Sequence, residues 1–128
     1  MKADSYTLVN KEEIHFDSVA NTWTLLTADG FTIKESRVGA HLAGGRKIFG
    51  RFVQSKKRSF TDPAGSGECV IAEFVNDEFN LSFIWQLYSY DSGPTRAIAL
   101  TVTNDATTTV KVEDIFAIDG ILFEDWEE

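Results

Sequence analysis

Apolar and polar residues alternate with a period of two along most of the chain. In "FNLSFIWQLYSY" (79–90) the odd positions Phe79, Leu81, Phe83, Trp85 and Leu87 are apolar, while Asn80, Ser82 and Gln86 fall between them. This is the pattern of a pleated strand with one buried face. "TRAIALTVTN" (95–104) repeats it, with Ile98, Leu100 and Val102 on one face and Thr101 and Thr103 on the other. "DSGP" (91–94) has turn composition, so the two segments predict a long hairpin. After the polar turn "NDATT", "TVKVEDIFAIDG" continues the meander, with Val110, Val112, Phe116 and Ile118 on one face and Asp114 interrupting it.

Upstream, "NTWTLLTADGFTIKES" (21–36) reads as another hairpin. Trp23 and Leu25 lead into Asp29-Gly30, a two-residue turn signal, and Phe31 and Ile33 lead out. The apolar parity then slips, because Val38, Ala40 and Leu42 are even-numbered. A bulge near Ser36 to Gly39 is expected. Gly44-Gly45 ends that strand, and "RKIFGRFV" begins the next. No segment keeps an i, i+3, i+4, i+7 apolar stripe over ten residues. The fold expected is all-β, an antiparallel β-sandwich of about eight or nine short strands. Residues 54–67, "QSKKRSFTDPAGSG", show no alternation and read as one long irregular loop of the functional or mobile kind.

At 128 residues, 43% of them hydrophobic, the chain is expected to form one domain over 1–128 with a sizeable core. The formal charge of −8 argues against nucleic acid or an anionic membrane as the main partner, since both would be repelled. Cys69 is the single cysteine, which excludes an internal disulfide and a paired-cysteine zinc site. No secretory leader or membrane-length apolar run is visible, and a cytoplasmic location is expected.

Candidate chemistry is sparse. His15 and His41 lack the His-x-His spacing of a jelly-roll metal centre and read as strand or surface histidines. Cys69, beside Glu68, reads as a half-buried structural thiol at a strand start, because a carboxylate neighbour disfavours the thiolate. Ser66 has no strand-to-helix elbow around it. Gly65 and Gly67, with Lys56, Lys57 and Arg58 nearby, offer a weak anion cradle without a Walker pattern. The carboxylates Asp62, Glu68, Glu73, Asp77, Glu78 and Asp91 include no pair marked out for acid–base work. Tyr88 and Tyr90 share the polar face of their strand, where they can pair across strands or stack a sugar ring. Phe123 and Trp126 stand among acidic residues in the tail "ILFEDWEE".

In order, these segments resemble a known arrangement. Asp62, Gly65 and Gly67 form an Asp-x-x-Gly-x-Gly element ahead of a strand, and Tyr88 to Asn104 form a long hairpin ending in Thr-Asn. Over residues 17–118 the chain resembles the N-terminal β-sandwich of the α-galactosidase and raffinose synthase superfamily of glycoside hydrolases. The resemblance implies a supersandwich-like accessory domain forming the N-terminal part of a longer enzyme. It also implies that the catalytic aspartates lie in a separate (β/α)₈ barrel, so that no catalytic residue, metal or cofactor belongs to this chain. The expected partner is that catalytic domain or a neighbouring subunit. The alternative is a free-standing carbohydrate-binding module. The candidate contact surface comprises Lys57, Arg58, Phe60, Asp62, Gly65, Gly67, Tyr88, Tyr90, Phe123 and Trp126, with the 54–62 loop as its centre.

Overall fold

A computed structural model describes residues 3–9, 11–27, 30–63, 65–91, 96–105, 112–116, 118 and 121–123. The strands are β1 (Ala3–Thr7), β2 (Glu13–Asp17), β3 (Thr22–Leu26), β4 (Thr32–Ser36), β5 (Gly39–Leu42), β6 (Lys47–Phe49), β7 (Arg51–Asp62), β8 (Gly65–Asn76), β9 (Leu81–Tyr90), β10 (Arg96–Asn104), β11 (Val112–Phe116) and β12 (Ile121–Phe123). They form a five-stranded sheet ordered β1-β2-β3-β4-β12, a four-stranded sheet ordered β10-β9-β8-β7, and a three-stranded sheet ordered β11-β5-β6. Every pairing is antiparallel. The all-β antiparallel expectation is met, with more strands than the eight or nine anticipated.

The two larger sheets meet face to face in a sandwich-like arrangement. On β9, Leu81, Phe83, Trp85, Leu87 and Ser89 are all buried, and each neighbour between them is less so. Val70, Ala72 and Phe74 of β8 lie beside them on the same inner face. The opposing sheet contributes Ile14, Phe16, Trp23, Leu25 and Ile33. Aromatic contacts join the layers: Trp23 meets Trp85 at 4.7 Å between ring centroids, and Phe16 meets Trp85 at 5.6 Å with perpendicular rings. Phe16 also stacks on Phe52 of β7 at 5.1 Å. Edge-to-face and offset-stacked geometries suit ring quadrupoles and add to the burial of these large side chains.

The parity slip has the expected cause at a slightly earlier position. Trp23 pairs with Ser36, but Leu25 pairs with Ile33, so β4 carries one extra residue opposite Thr24. Lys34 and Glu35 form the bulge, Glu35 takes φ +51°, and its N–H donates to Thr24 Oγ1 at 3.1 Å. The inserted residue turns both Ile33 and Ser36 inward. Beyond it the chain leaves the five-stranded sheet and enters the three-stranded one. There Val38, Ala40 and Leu42 join the same core together with Ile48. In the β3–β4 hairpin the Thr27 N–H donates to the Phe31 carbonyl and the Gly30 N–H to the Thr27 carbonyl. The closing residues are therefore Thr27 and Phe31, one step wider than a two-residue Asp29-Gly30 turn, and Asp29 itself lies outside the described residues.

The reading of residues 54–67 as a loop is overturned. Residues 51–62 form β7, a twelve-residue edge strand paired with β8 from Arg51–Val75 to Asp62–Gly65. Alternation fails there because neither face of the edge is closed over. Gln54, Lys56 and Arg58 point outward, while Ser55, Lys57, Ser59 and Thr61 share the inner side at the rim of the sandwich. That rim is tied to β1 by polar groups: Ser55 Oγ donates to Asp4 Oδ2 at 2.7 Å, and Lys57 Nζ donates to the Thr7 carbonyl at 3.2 Å.

Candidate functional site

The register of β7, β8, β9 and β10 lays out the outer face of the four-stranded sheet in rows. Gln54, Glu73, Ile84 and Thr101 form one row, and Lys56, Ile71, Gln86 and Ala99 the next. Arg58, Cys69, Tyr88 and Ala97 follow, then Phe60, Gly67 and Tyr90. This face thus assembles Arg58, Phe60, Gly67, Tyr88 and Tyr90 from the sequence-derived surface, with Asp62 and Gly65 at the adjoining hairpin end.

At that end three part-exposed rings form a corner. Phe60 meets Tyr88 at 5.2 Å and Tyr90 at 5.1 Å, nearly perpendicular to both. Phe60 and Tyr90 are the two cross-strand partners of Gly67. A Cβ on Gly67 would lie 1.9 Å from the Ser89 carbonyl oxygen, so only glycine lets β9 approach so closely. The two tyrosines come from the i, i+2 spacing of one strand, and the hairpin register brings in Phe60.

Asp62 closes the hairpin and braces the corner. Its Oδ1 accepts the Gly65 N–H at 3.1 Å, and its Oδ2 accepts the Tyr90 hydroxyl at 2.9 Å. Gly65 takes φ +143°, which a side chain would resist. "DPAGSG" is therefore a bend whose first residue also orients an aromatic. It is not an anion cradle: the Gly65 N–H is taken by Asp62, and Gly67 lies within the sheet.

The hydrogen bond to Asp62, with burial and the carboxylate charge behind it, raises the Tyr90 phenol above its ordinary value of 10.0. Tyr90 therefore holds its proton more tightly folded than unfolded. Its contribution to stability is complete below the ordinary tyrosine value and is lost as pH climbs through the folded one. Asp62→Asn keeps an oxygen for the turn but removes the charge. Phenolate absorbance across an alkaline titration is expected to show one tyrosine ionising earlier in this variant. Superimposable curves would show that Asp62 does not set the Tyr90 ionisation.

Next to the corner, Cys69 is fully buried within β8, more deeply than expected and not at the strand's start. Burial pushes its thiol up, and the Arg58 guanidinium pulls it partly back. Such a thiol is a packing residue. Further along the same face, Gln54, Lys56, Ile71, Glu73 and Ile84, with Ser55 between them, line a shallow depression of about 300 Å³. Gln54 Nε2 donates to Glu73 Oε1 at 3.0 Å on its floor. Sequence reading missed this end, because its polar residues have no motif. Their common spacing of two along 54–60 was the available signal.

Other candidates fall elsewhere. Lys57 points to the inner rim and pairs with Glu68 at 3.5 Å, on the opposite side of β7 from Arg58. Phe123 sits on β12, paired with Thr32 in the five-stranded sheet. Trp126 lies outside the described residues. His15 belongs to the five-stranded sheet, where its Nδ1 meets Ser5 Oγ at 2.8 Å and its Nε2 meets Glu13 Oε1 at 3.1 Å. His41 belongs to the three-stranded sheet and pairs with Asp114 at 2.5 Å. Among the described residues no three His, Cys, Asp or Glu side chains group as a metal site.

The outer face thus sets rings, amides and cations side by side on one sheet. In comparisons with known proteins, the chain matches no family model, no curated protein and no solved structure. What is shown of its kinship is its class, an all-β protein of antiparallel sheets.

Proposed function

We propose that the chain is a non-catalytic binding module that takes carbohydrate on the outer face of β7 to β10. The observation that carries this reading is the corner of Phe60, Tyr88 and Tyr90 beside a polar depression on one continuous face. Sugar rings present apolar C–H faces that suit the electron-rich face of an aromatic ring, and their hydroxyls need amide, carboxylate and cationic partners. Gln54, Gln86 and Glu73 supply such partners in adjoining rows. The rings also cover Gly67, so they serve packing and contact together.

The second reading is an accessory domain that docks on the catalytic domain of an α-galactosidase-like glycoside hydrolase. It is favoured by β7, a twelve-residue strand at a sheet edge with Val53, Gln54 and Lys56 exposed. An edge of that length offers unpaired backbone groups to a partner.

Calorimetric titration of the full chain with a panel of galacto- and gluco-oligosaccharides separates the two. Binding of at least one member is expected. Tyr88→Ala should weaken it roughly fivefold while the thermal unfolding transition persists, since one ring contact is worth about 1 kcal/mol. A flat titration across the panel would remove the carbohydrate reading and leave the docking one.

A further inference from the structure

Four cations of this acidic chain are matched by carboxylates. Arg46 pairs with Glu78, Arg51 with Asp77, Lys57 with Glu68 and Arg96 with Glu12. Lys56 and Arg58 depart from this. Both are exposed on the outer face of β7, and neither has a carboxylate partner among the described residues. The positions directly across from them, where an acid would complete a cross-strand pair, hold Ile71 and Cys69. The next positions along those rows hold Gln86 and Tyr88, then Ala99 and Ala97. The two acids nearest on the face are engaged, Glu73 by Gln54 and Asp62 by Tyr90 and Gly65.

Along β7, Lys56, Arg58 and Phe60 follow at every second residue, about 7 Å per step. One cation therefore stands one step from the aromatic corner and the other two steps away, beside the depression. We propose that the ligand of this face is an acidic oligosaccharide, a uronate-containing chain whose neutral ring faces pack on Phe60, Tyr88 and Tyr90 and whose carboxylates pair with Arg58 and Lys56. This rests on the carbohydrate-binding reading above and specifies its substrate class. Arg58 suits a carboxylate because its planar fork can donate two parallel hydrogen bonds. The overall charge of −8 opposes anions at long range, but that field is screened beyond about 8 Å at physiological salt. A short ligand with few charges is governed by the local pair. A long polyanion is not, which separates this ligand from nucleic acid. Protection of the edge strand also calls for charge on β7. Lys57, on the rim side, already places a cation there.

The test compares trigalacturonate with the neutral galactotriose on the full-length chain, by calorimetry at low and high salt. The uronate is expected to bind at least tenfold tighter at low salt, and the preference should shrink at high salt. It should vanish in the Lys56→Gln, Arg58→Gln double variant, to which the two sugars should bind equally. Equal affinity for both sugars, or a preference that survives the double variant, overturns the acidic-ligand assignment and leaves carbohydrate binding standing. Failure to bind either sugar, with the panel above also silent, overturns both. A double variant that aggregates but, in its soluble fraction, keeps the preference assigns the cations to edge protection alone.

Discussion

Glu12→Ala is expected to cost about 3 kcal/mol of folding stability. Glu12 lies in the turn between β1 and β2 and is 1% exposed. Its Oε1 accepts from Ser89 Oγ at 2.9 Å, and its Oε2 accepts from Arg96 Nε at 2.5 Å and also from Arg96 Nη2. Ser89 and Arg96 belong to β9 and β10, so this carboxylate joins the two large sheets across the sandwich. Removing it takes the Glu12 carboxylate away from a cationic group in a poorly hydrated place. Breaking one side of a buried pair generally costs about 3–5 kcal/mol. Arg96 keeps 21% of its side-chain surface exposed and can regain some water, which places the loss at the lower end. In thermal terms the midpoint should fall by roughly 10 °C.

The same argument gives a sharper test. Replacing both partners, Glu12→Leu with Arg96→Met, removes the buried cation along with its carboxylate, so the double variant should recover most of the loss. Urea unfolding midpoints of wild type, both single variants and the double variant complete the cycle. A Glu12→Ala loss below about 1 kcal/mol would mean that Arg96 is hydrated well enough to need no counter-charge.

Where a strand buries one face under another layer, the chain announces it. β9 and β10 were legible because Leu81 to Leu87 and Ile98 to Val102 meet opposing side chains at every second residue. The even-numbered Val38, Ala40 and Leu42 likewise betrayed the extra residue in β4, displaced from its expected place by the positive φ that Glu35 adopts. β7 was illegible for the converse reason. Its outer face is open, and its inner face overhangs the rim, where Ser55 and Lys57 are held by Asp4 and the Thr7 carbonyl instead of by apolar contact. The site inherits this split. Tyr88 and Tyr90 could be placed on one face from spacing alone. That Phe60 completes their corner, and that Arg58 shares the face while Lys57 does not, depends on the register fixed by the Asp62–Gly65 turn. The Glu12–Arg96 pair spans most of the chain and leaves no local trace.

Trp85 sets the second large effect. It is fully buried between Trp23 and Phe16, and its indole Nε1 has no hydrogen-bond partner among the described residues. Trp85→Ala empties the centre of the sandwich and is expected to cost about 3–5 kcal/mol. Trp85→Phe is the instructive variant. It removes apolar volume, which costs stability, but it also removes a buried donor whose lost hydration costs about 1–3 kcal/mol while it stays unmet. The two terms oppose each other at similar size, so the net change should lie within about 1 kcal/mol of wild type. Denaturant unfolding of both variants reads the difference directly. A phenylalanine variant as unstable as the alanine one would show that the indole N–H is engaged within the core, by a ring face or by a trapped water. A near-neutral one identifies the centre of this sandwich as a place where shape, not hydrogen bonding, holds the two sheets together.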